Sequence, residues 1–285
     1  MMKRSKYCII GIPDHQAVIG RLGARRGPEA FRRVWKRLSG KTLNAGQVMD
    51  LGDVSGLTPH IQTNHDLAAE RIQKAHAEYE RSVIIGGGHD HGHSHLLGIK
   101  KALESTQTKK VKLGCINIDA HLDVRSAHPV ITSGSPFYLA IKNQTLEPKR
   151  FVEFGIQSHC NAEGLWKFVQ EHQIRVVPMH ELRLGSAVSR FRKELNRLAR
   201  CSDQIVVSFD LDSVAEAYSP GVSAPQSEGF SPQEIVAMME IAGSEKKCIS
   251  LGIFELNPEH DIGDRTARLA ATAAFHFLDQ GKSDF

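Results

Sequence analysis

Asp119, His121 and Asp123 place two carboxylates and one imidazole at alternating positions within Asn117-Ile118-Asp119-Ala120-His121-Leu122-Asp123-Val124-Arg125. On an extended chain alternate side chains point the same way, so the spacing predicts three groups converging on one point. Two carboxylates repel there unless a divalent cation offsets their charge; the competing reading is a polar strand end whose carboxylates face solvent. A second alternating pair, Asp210 and Asp212, stands in Ser208-Phe209-Asp210-Leu211-Asp212-Ser213. His89 follows Gly86-Gly87-Gly88, where absent side chains let backbone approach a bound group closely.

Each cluster follows an apolar run of strand length: residues 111–116 before Asp119, 82–85 before the glycines, and 204–210 ending on Asp210. Further strands are predicted at 7–12, 46–50, 151–156, 175–177 and 248–254. Helices are predicted at 28–38, 65–81, from about 90 to 103, and at 137–142, 162–171, 187–200 and 265–278. One more helix opens at Ser231, with Pro232 in its first turn, a capping box to Glu234, and Gly243 as its stop. Strands that alternate with helices imply βαβ units and a mainly parallel sheet. Parallel strands put all their carboxyl ends on one edge, where ligands bind in open α/β sheets. No linker, repeat or low-complexity stretch interrupts residues 1–285, which read as a single domain.

The predicted constellation is His89, Asp119, His121, Asp123, Asp210 and Asp212. Six such ligands exceed the four that one zinc ion takes. They suit two hard cations sharing carboxylates, and oxygen-rich donors with some imidazole favour manganese over zinc or copper. Two such metals can share a water and lower its pKa, giving hydroxide at neutral pH.

Bulk properties narrow the field. The 285 residues are 41% hydrophobic and 24% charged, an ordinary globular composition. The net charge of +4 comes from scattered Lys and Arg, as in Arg32-Arg33 and Lys109-Lys110, with no aromatic interleaving, which argues against nucleic-acid binding. Five cysteines, odd in number and without a CxxC, fit reduced thiols in the cytoplasm. After the basic Met1–Lys6 stretch the apolar run is too short for a signal-peptide core, and none elsewhere is long enough to span a bilayer.

Gly87-Gly88-His89, Asp119-Ala120-His121-Leu122-Asp123 and Ser208-Phe209-Asp210-Leu211-Asp212 resemble, in order, the three metal signatures of the ureohydrolase superfamily of arginase, agmatinase and formimidoylglutamase. The resemblance covers nearly the whole chain. It implies a three-layer α/β arginase-like fold, a central mainly parallel sheet flanked by helices, and a hydrolase with two Mn2+ per chain. Within the superfamily, the loop Thr132-Ser133-Gly134-Ser135-Pro136-Phe137 lacks the histidine that arginases and agmatinases carry near its end. It is similar to the formimidoylglutamase branch. So are Arg21-Leu22-Gly23-Ala24-Arg25-Arg26-Gly27-Pro28, Pro220-Gly221-Val222-Ser223-Ala224-Pro225, and Glu255-Leu256-Asn257-Pro258.

That branch implies cleavage of the small molecule N-formimidoyl-L-glutamate to L-glutamate and formamide by a metal-activated hydroxide. Asp123 would accept the hydroxide's proton and Glu255 would hold the cationic nitrogens. Arg125, with Arg21, Ser133 and Ser135, would contact the substrate, the arginines being candidates for its carboxylates. The chain departs from the pattern at Val18-Ile19 and in the extra histidines His91, His93 and His95, read as helix-face residues. Three other readings stand beside this one: an agmatinase-like enzyme releasing urea, a non-catalytic relative, and a one-metal zinc deacetylase of similar fold. The resemblance leaves assembly into a homo-oligomer open.

Overall fold

The computed structural model describes residues 6–106 and 110–279. Lys109 and most of the basic N-terminal stretch lie outside the described residues. In chain order the elements are β1 (Tyr7–Gly11), α1 (Gly27–Trp35), β2 (Met49–Asp53), α2 (Ile61–His76), β3 (Arg81–Ile85), α3 (His91–Glu104), β4 (Leu113–Ile118) and α4 (Pro136–Lys142). There follow β5 (Phe151–Ile156), α5 (Glu163–Glu171), β6 (Arg175–Pro178), α6 (Met179–Leu182), α7 (Ala187–Cys201), β7 (Gln204–Asp210), α8 (Pro232–Ser244), β8 (Cys248–Phe254) and α9 (Arg265–Leu278).

The eight strands form one sheet in the order β2-β1-β3-β8-β7-β4-β5-β6, and every pairing is parallel. Apolar residues on both faces of each central strand explain this, since a parallel sheet is covered on both sides. Ile9, Val83, Ile85, Ile116, Ile118, Val207 and Phe209 face α1 and α6 to α9. Cys8, Ile10, Ile84, Cys115 and Val206 face α2 to α5. The result is the three-layer α/β architecture that the sequence predicts. No helix among the described residues is long and apolar enough to cross a membrane.

Most predicted elements stand within a few residues of their expected bounds. Three differ for identifiable reasons. The helix expected over 65–81 starts earlier, at Ile61, and ends at His76, and Arg81 already belongs to β3. Arg81 is drawn into the strand by its guanidinium, which donates to the carbonyls of Gly243 and Glu245. The strand expected over 46–50 is displaced to Met49–Asp53 behind a short 3-10 turn, Ala45–Gln47. Gly243 does not stop α8; it lies inside it, where a Cβ would come within 2.4 Å of the Phe277 carbonyl oxygen on α9. It is a close-packing residue rather than a terminator. The capping box at Ser231 and Glu234 is present.

Candidate metal centre

Strands β3, β8, β7 and β4 are neighbours at the centre of the sheet, and the segment after each delivers part of one site. His89 follows β3, Glu255 follows β8, Asp210 ends β7 with Asp212 in the next turn, and Asp119, His121 and Asp123 follow β4. The convergence expected from alternation is achieved differently from the expectation. β4 ends at Ile118, so Asp119 to Asp123 are not strand residues. The chain turns through Asp123, whose φ is 47°. Glu255 has a φ of 64°. Non-glycine residues rarely adopt this left-handed region, and a strained residue costs about 1–3 kcal/mol and clusters at functional sites.

His89 Nδ1 lies 3.1 Å from Asp119 Oδ2, 2.9 Å from Asp123 Oδ2 and 3.0 Å from Asp210 Oδ2. His121 Nδ1 lies 3.1 Å from Asp212 Oδ2 and 3.5 Å from Asp119 Oδ1. The six predicted ligands therefore come together as two groups that share Asp119. Three carboxylate oxygens around one ring nitrogen are no hydrogen-bond pattern, because that nitrogen carries at most one proton. Consistently, His89 Nδ1 is buried without a hydrogen-bond partner, as are Asp212 Oδ1 and Glu255 Oε2. Orphaned donors of this kind, four carboxylates and two imidazoles under one sheet edge, fit two hard divalent cations.

Electrostatics agree. Burial pushes the Asp212 carboxyl up to about 6, with the charge of Asp119 adding to it against the pull of His121. Burial, then the charges of Asp212 and Asp119, drives Asp210 well above the usual carboxylate range. For Asp119 burial works upward too, yet the adjacent imidazoles of His121 and His89 hold it below that range. Glu255 is pushed up to about 8 by burial and the neighbouring Asp210, despite hydrogen bonds from Ser223 and the His89 backbone. Such crowded carboxyls are stable as anions only beside a cation.

The ligands are held from behind. Ser208 Oγ lies 2.8 Å from His89 Nε2, fixing the ring so that Nδ1 faces the carboxylates. Phe254 stacks on that ring at 4.8 Å and Phe137 meets it edge-on at 5.7 Å. The amide of Asn117 donates both to Asp119 Oδ2 (3.1 Å) and to the buried Glu153 (3.0 Å). The His89 backbone N–H donates to Glu255 Oε1 at 2.8 Å, and a Cβ on Gly87 would strike the Asp14 carbonyl oxygen at 1.6 Å. Sequence reading missed Ser208, Asn117 and Glu153. The first two sit inside quoted motifs, yet only the register across β5, β4 and β7, which aligns Glu153, Asn117 and Ser208, marks them.

Above the centre opens a cavity of about 300 Å³ lined by His89, His121, Asp123, Asp210, Asp212 and Glu255 at its floor, with Ile19, Gly20, Arg125, Ser133, Gly134, Ser223 and Ala224 around it. The Arg125 guanidinium has no hydrogen-bond partner among the described residues. Two expected substrate contacts are not brought there. Ser135 is fully buried at the start of α4, its hydroxyl 3.1 Å from that of Thr132. Arg21 is exposed and outside the cavity lining, although its chain neighbour Gly20 lines it, and its backbone N–H donates to the Ser223 carbonyl. Ser223, which does line the cavity, was visible only as part of a motif. His91, His93 and His95 lie on the buried face of α3; His95 bonds Ser250 Oγ at 2.6 Å, and His93 is 3.5 Å from the Asn143 amide.

Comparison with known proteins agrees with the geometry. The chain is 30% identical to the formimidoylglutamase of Staphylococcus carnosus over 259 residues, 91% of this chain and 80% of that protein. It is 30% identical to that of Geobacillus kaustophilus over 277 residues, 95% and 82% of the two chains. The crystal structure of Trypanosoma cruzi formiminoglutamase with two Mn2+ ions superposes with a TM-score of 0.86 at 27% identity, covering 97% of this chain and 94% of that one. Residues 5–279 match the sequence model described as "Arginase family". With the three metal signatures in order on one sheet edge and a family match from end to end, the chain belongs to the arginase family.

Proposed function

We propose that this protein is a binuclear manganese hydrolase that cleaves the amidine C–N bond of N-formimidoyl-L-glutamate, yielding L-glutamate and formamide. The observation that carries the substrate choice is Arg125, a guanidinium without a hydrogen-bond partner among the described residues, on the wall of a cavity whose floor is the six-ligand centre. The relatives named formimidoylglutamase support the same choice. His89, Asp119, Asp123 and Asp210 would hold one ion, and Asp119, His121 and Asp212 the other. When bound, the ions supply a nucleophilic water at neutral pH.

The protein's own groups do the rest. Asp123, at the cavity floor beside His89, accepts the proton of the attacking water. Glu255, aimed at the floor by its left-handed backbone and by the His89 N–H, pairs with the cationic nitrogens of the substrate. Arg125 and Ser133 bind the carboxylates at the mouth, a guanidinium fork matching a carboxylate with two hydrogen bonds. An agmatine tail, being cationic, is repelled by Arg125, which disfavours the urea-releasing reading. Placement in the cytoplasm, with all five cysteines free, belongs to the same proposal, and sedimentation will decide whether the chain forms a homo-oligomer.

Arg125→Met tests the substrate directly, since it keeps the apolar stem and deletes the donors. A lost charge-assisted hydrogen bond is worth about 1.5–3 kcal/mol. The expected result is a fall in kcat/KM of about ten- to a hundredfold on formimidoylglutamate with metal content unchanged. An amidine without carboxylates should be hydrolysed equally by both enzymes. Equal losses on both substrates would mean that Arg125 supports the site and does not read the carboxylates.

A further inference from the structure

A second histidine-carboxylate cluster lies behind the metal centre and takes no part in the mechanism above. His65 Nε2 on α2 is 2.7 Å from Asp90 Oδ2 at the start of α3. His91 Nε2 is 3.9 Å from the same oxygen and 3.3 Å from Asp14 Oδ2, in the segment after β1. All four side chains are buried, Asp14 at 4% exposure, Asp90 at 2%, and His65 and His91 at 0%. We propose that Asp14, His65, Asp90 and His91 form a third, closed cation site of zinc type beside the binuclear centre.

The donor set is two imidazole nitrogens and two carboxylates, four in all, the number a closed tetrahedral zinc site takes. With metal–ligand bonds of about 2.1 Å, tetrahedral donors stand about 3.4 Å apart. The three measured separations straddle that value; ligand atoms of His65, Asp90 and His91 already lie within 4.8 Å of one another, and Asp14, bonded to His91, would have to move in toward the other two to complete the shell. His91, Asp14 and their neighbours are held from behind as ligand shells are, whereas the buried Nδ1 of His65 has no partner. Ser94 Oγ lies 3.2 Å from His91 Nδ1, leaving Nε2 free to ligate. Asp14 Oδ2 accepts from Asn64 Nδ2 at 2.7 Å, and its Oδ1 accepts from the Gln16 backbone N–H at 3.0 Å. Asp90 Oδ1 is buried without any partner, a cost that a cation at this carboxylate would offset.

Half-nitrogen, four-donor chemistry separates this site from the oxygen-rich, manganese-type centre. Asp90 and His91 follow His89 directly in sequence. A cation here would tie the segment after β1, α2 and the start of α3 together, and so fix the helix end that carries His89. The reading of His91 as a plain helix-face residue is thereby revised, while His93 and His95 keep it. Without a cation, the same four residues are two hydrogen-bonded pairs, His65 with Asp90 and His91 with Asp14.

The test is zinc anomalous diffraction from crystals of the wild-type protein loaded with manganese and supplied with zinc, with elemental analysis of the same preparation. The expected result is an anomalous peak between Asp14, His65, Asp90 and His91, and about three divalent ions per chain. Asp90→Asn and His65→Gln should each lose the zinc while retaining manganese. Because either variant could fail to fold, the wild-type map decides by itself. No peak between these four residues, or folded variants that retain zinc at the wild-type level, would overturn the proposal.

Discussion

Asp123 meets two demands at once. It belongs to the ligand group around His89, and it lines the cavity floor in a left-handed conformation. Asp123→Asn keeps the shape and one oxygen but removes the charge and the proton acceptor. Turnover should fall by at least about two powers of ten, the scale of a lost acid–base partner. Wild-type rate at full metal occupancy would leave Asp123 a ligand and nothing more. Ser208 makes a different claim, since its hydroxyl touches only the far nitrogen of His89 within the centre. Ser208→Ala should weaken metal affinity by about ten- to a hundredfold, as lost outer-shell partners do. A metal titration that overlays the wild type would show that the Phe254 and Phe137 rings suffice to hold His89.

At the scale of elements, α8 and α9 cross where Gly243 lets the helices touch. Gly243→Ala would drive a methyl into the Phe277 carbonyl. Overpacking of this kind costs about 1–3 kcal/mol, so denaturant unfolding should show that loss with metal content unaltered; a neutral or stabilising result would mean the helices part without cost. Gly243 also shows how far the sequence could be read. Its position near the end of an apolar run looks like a helix stop, and only tertiary packing reveals that it lies within the helix. Apolar runs such as 82–85 and 204–210 announced their strands because a strand covered on both faces carries no other pattern. Asp119, His121 and Asp123 announced their site through residue type and spacing, although the strand supposed to align them ends at Ile118, before the first of them. Glu153 and Asn117 were silent, since the bond that joins their roles crosses two strands. Ser135 and Arg21 do not line the cavity although Gly134 and Gly20 beside them do, because loop sequence does not say which of its neighbouring side chains turn inward.

Over the whole molecule, the strand order brings β3, β8, β7 and β4 side by side, so four separate segments empty their charged ends onto one edge. This concentrates negative charge that metal must balance, and the metal-free protein should reveal it. Glu255 and Asp212 have folded values of about 8 and about 6, above their ordinary 4.5 and 3.8. A group raised on folding binds its proton more tightly in the native state, so stability is lost as pH rises through the folded value. His89 and His121 are also raised, which gives the same sign above their ordinary 6.5. Asp119 is lowered and acts oppositely only in strong acid. Burial lowers His76, His93 and His95, which act oppositely below about 6.5, so metal-free protein should melt at lower temperature as pH climbs from about 6.5 to about 8, and manganese should remove most of that slope. A metal-free melting temperature that rises across this window would contradict the charge arrangement.

The central claim is hydrolysis of an anionic amidine at a two-metal site, and one product assay reaches it directly. Manganese-loaded enzyme is supplied in parallel with formimidoylglutamate, arginine, agmatine and guanidinobutyrate, and formamide and urea are scored together. The account predicts formamide and glutamate from the first substrate, with urea from the others slower by orders of magnitude. Urea released fastest from arginine or agmatine would contradict the substrate assignment, and no product from any of the four at full manganese occupancy would contradict the catalytic one.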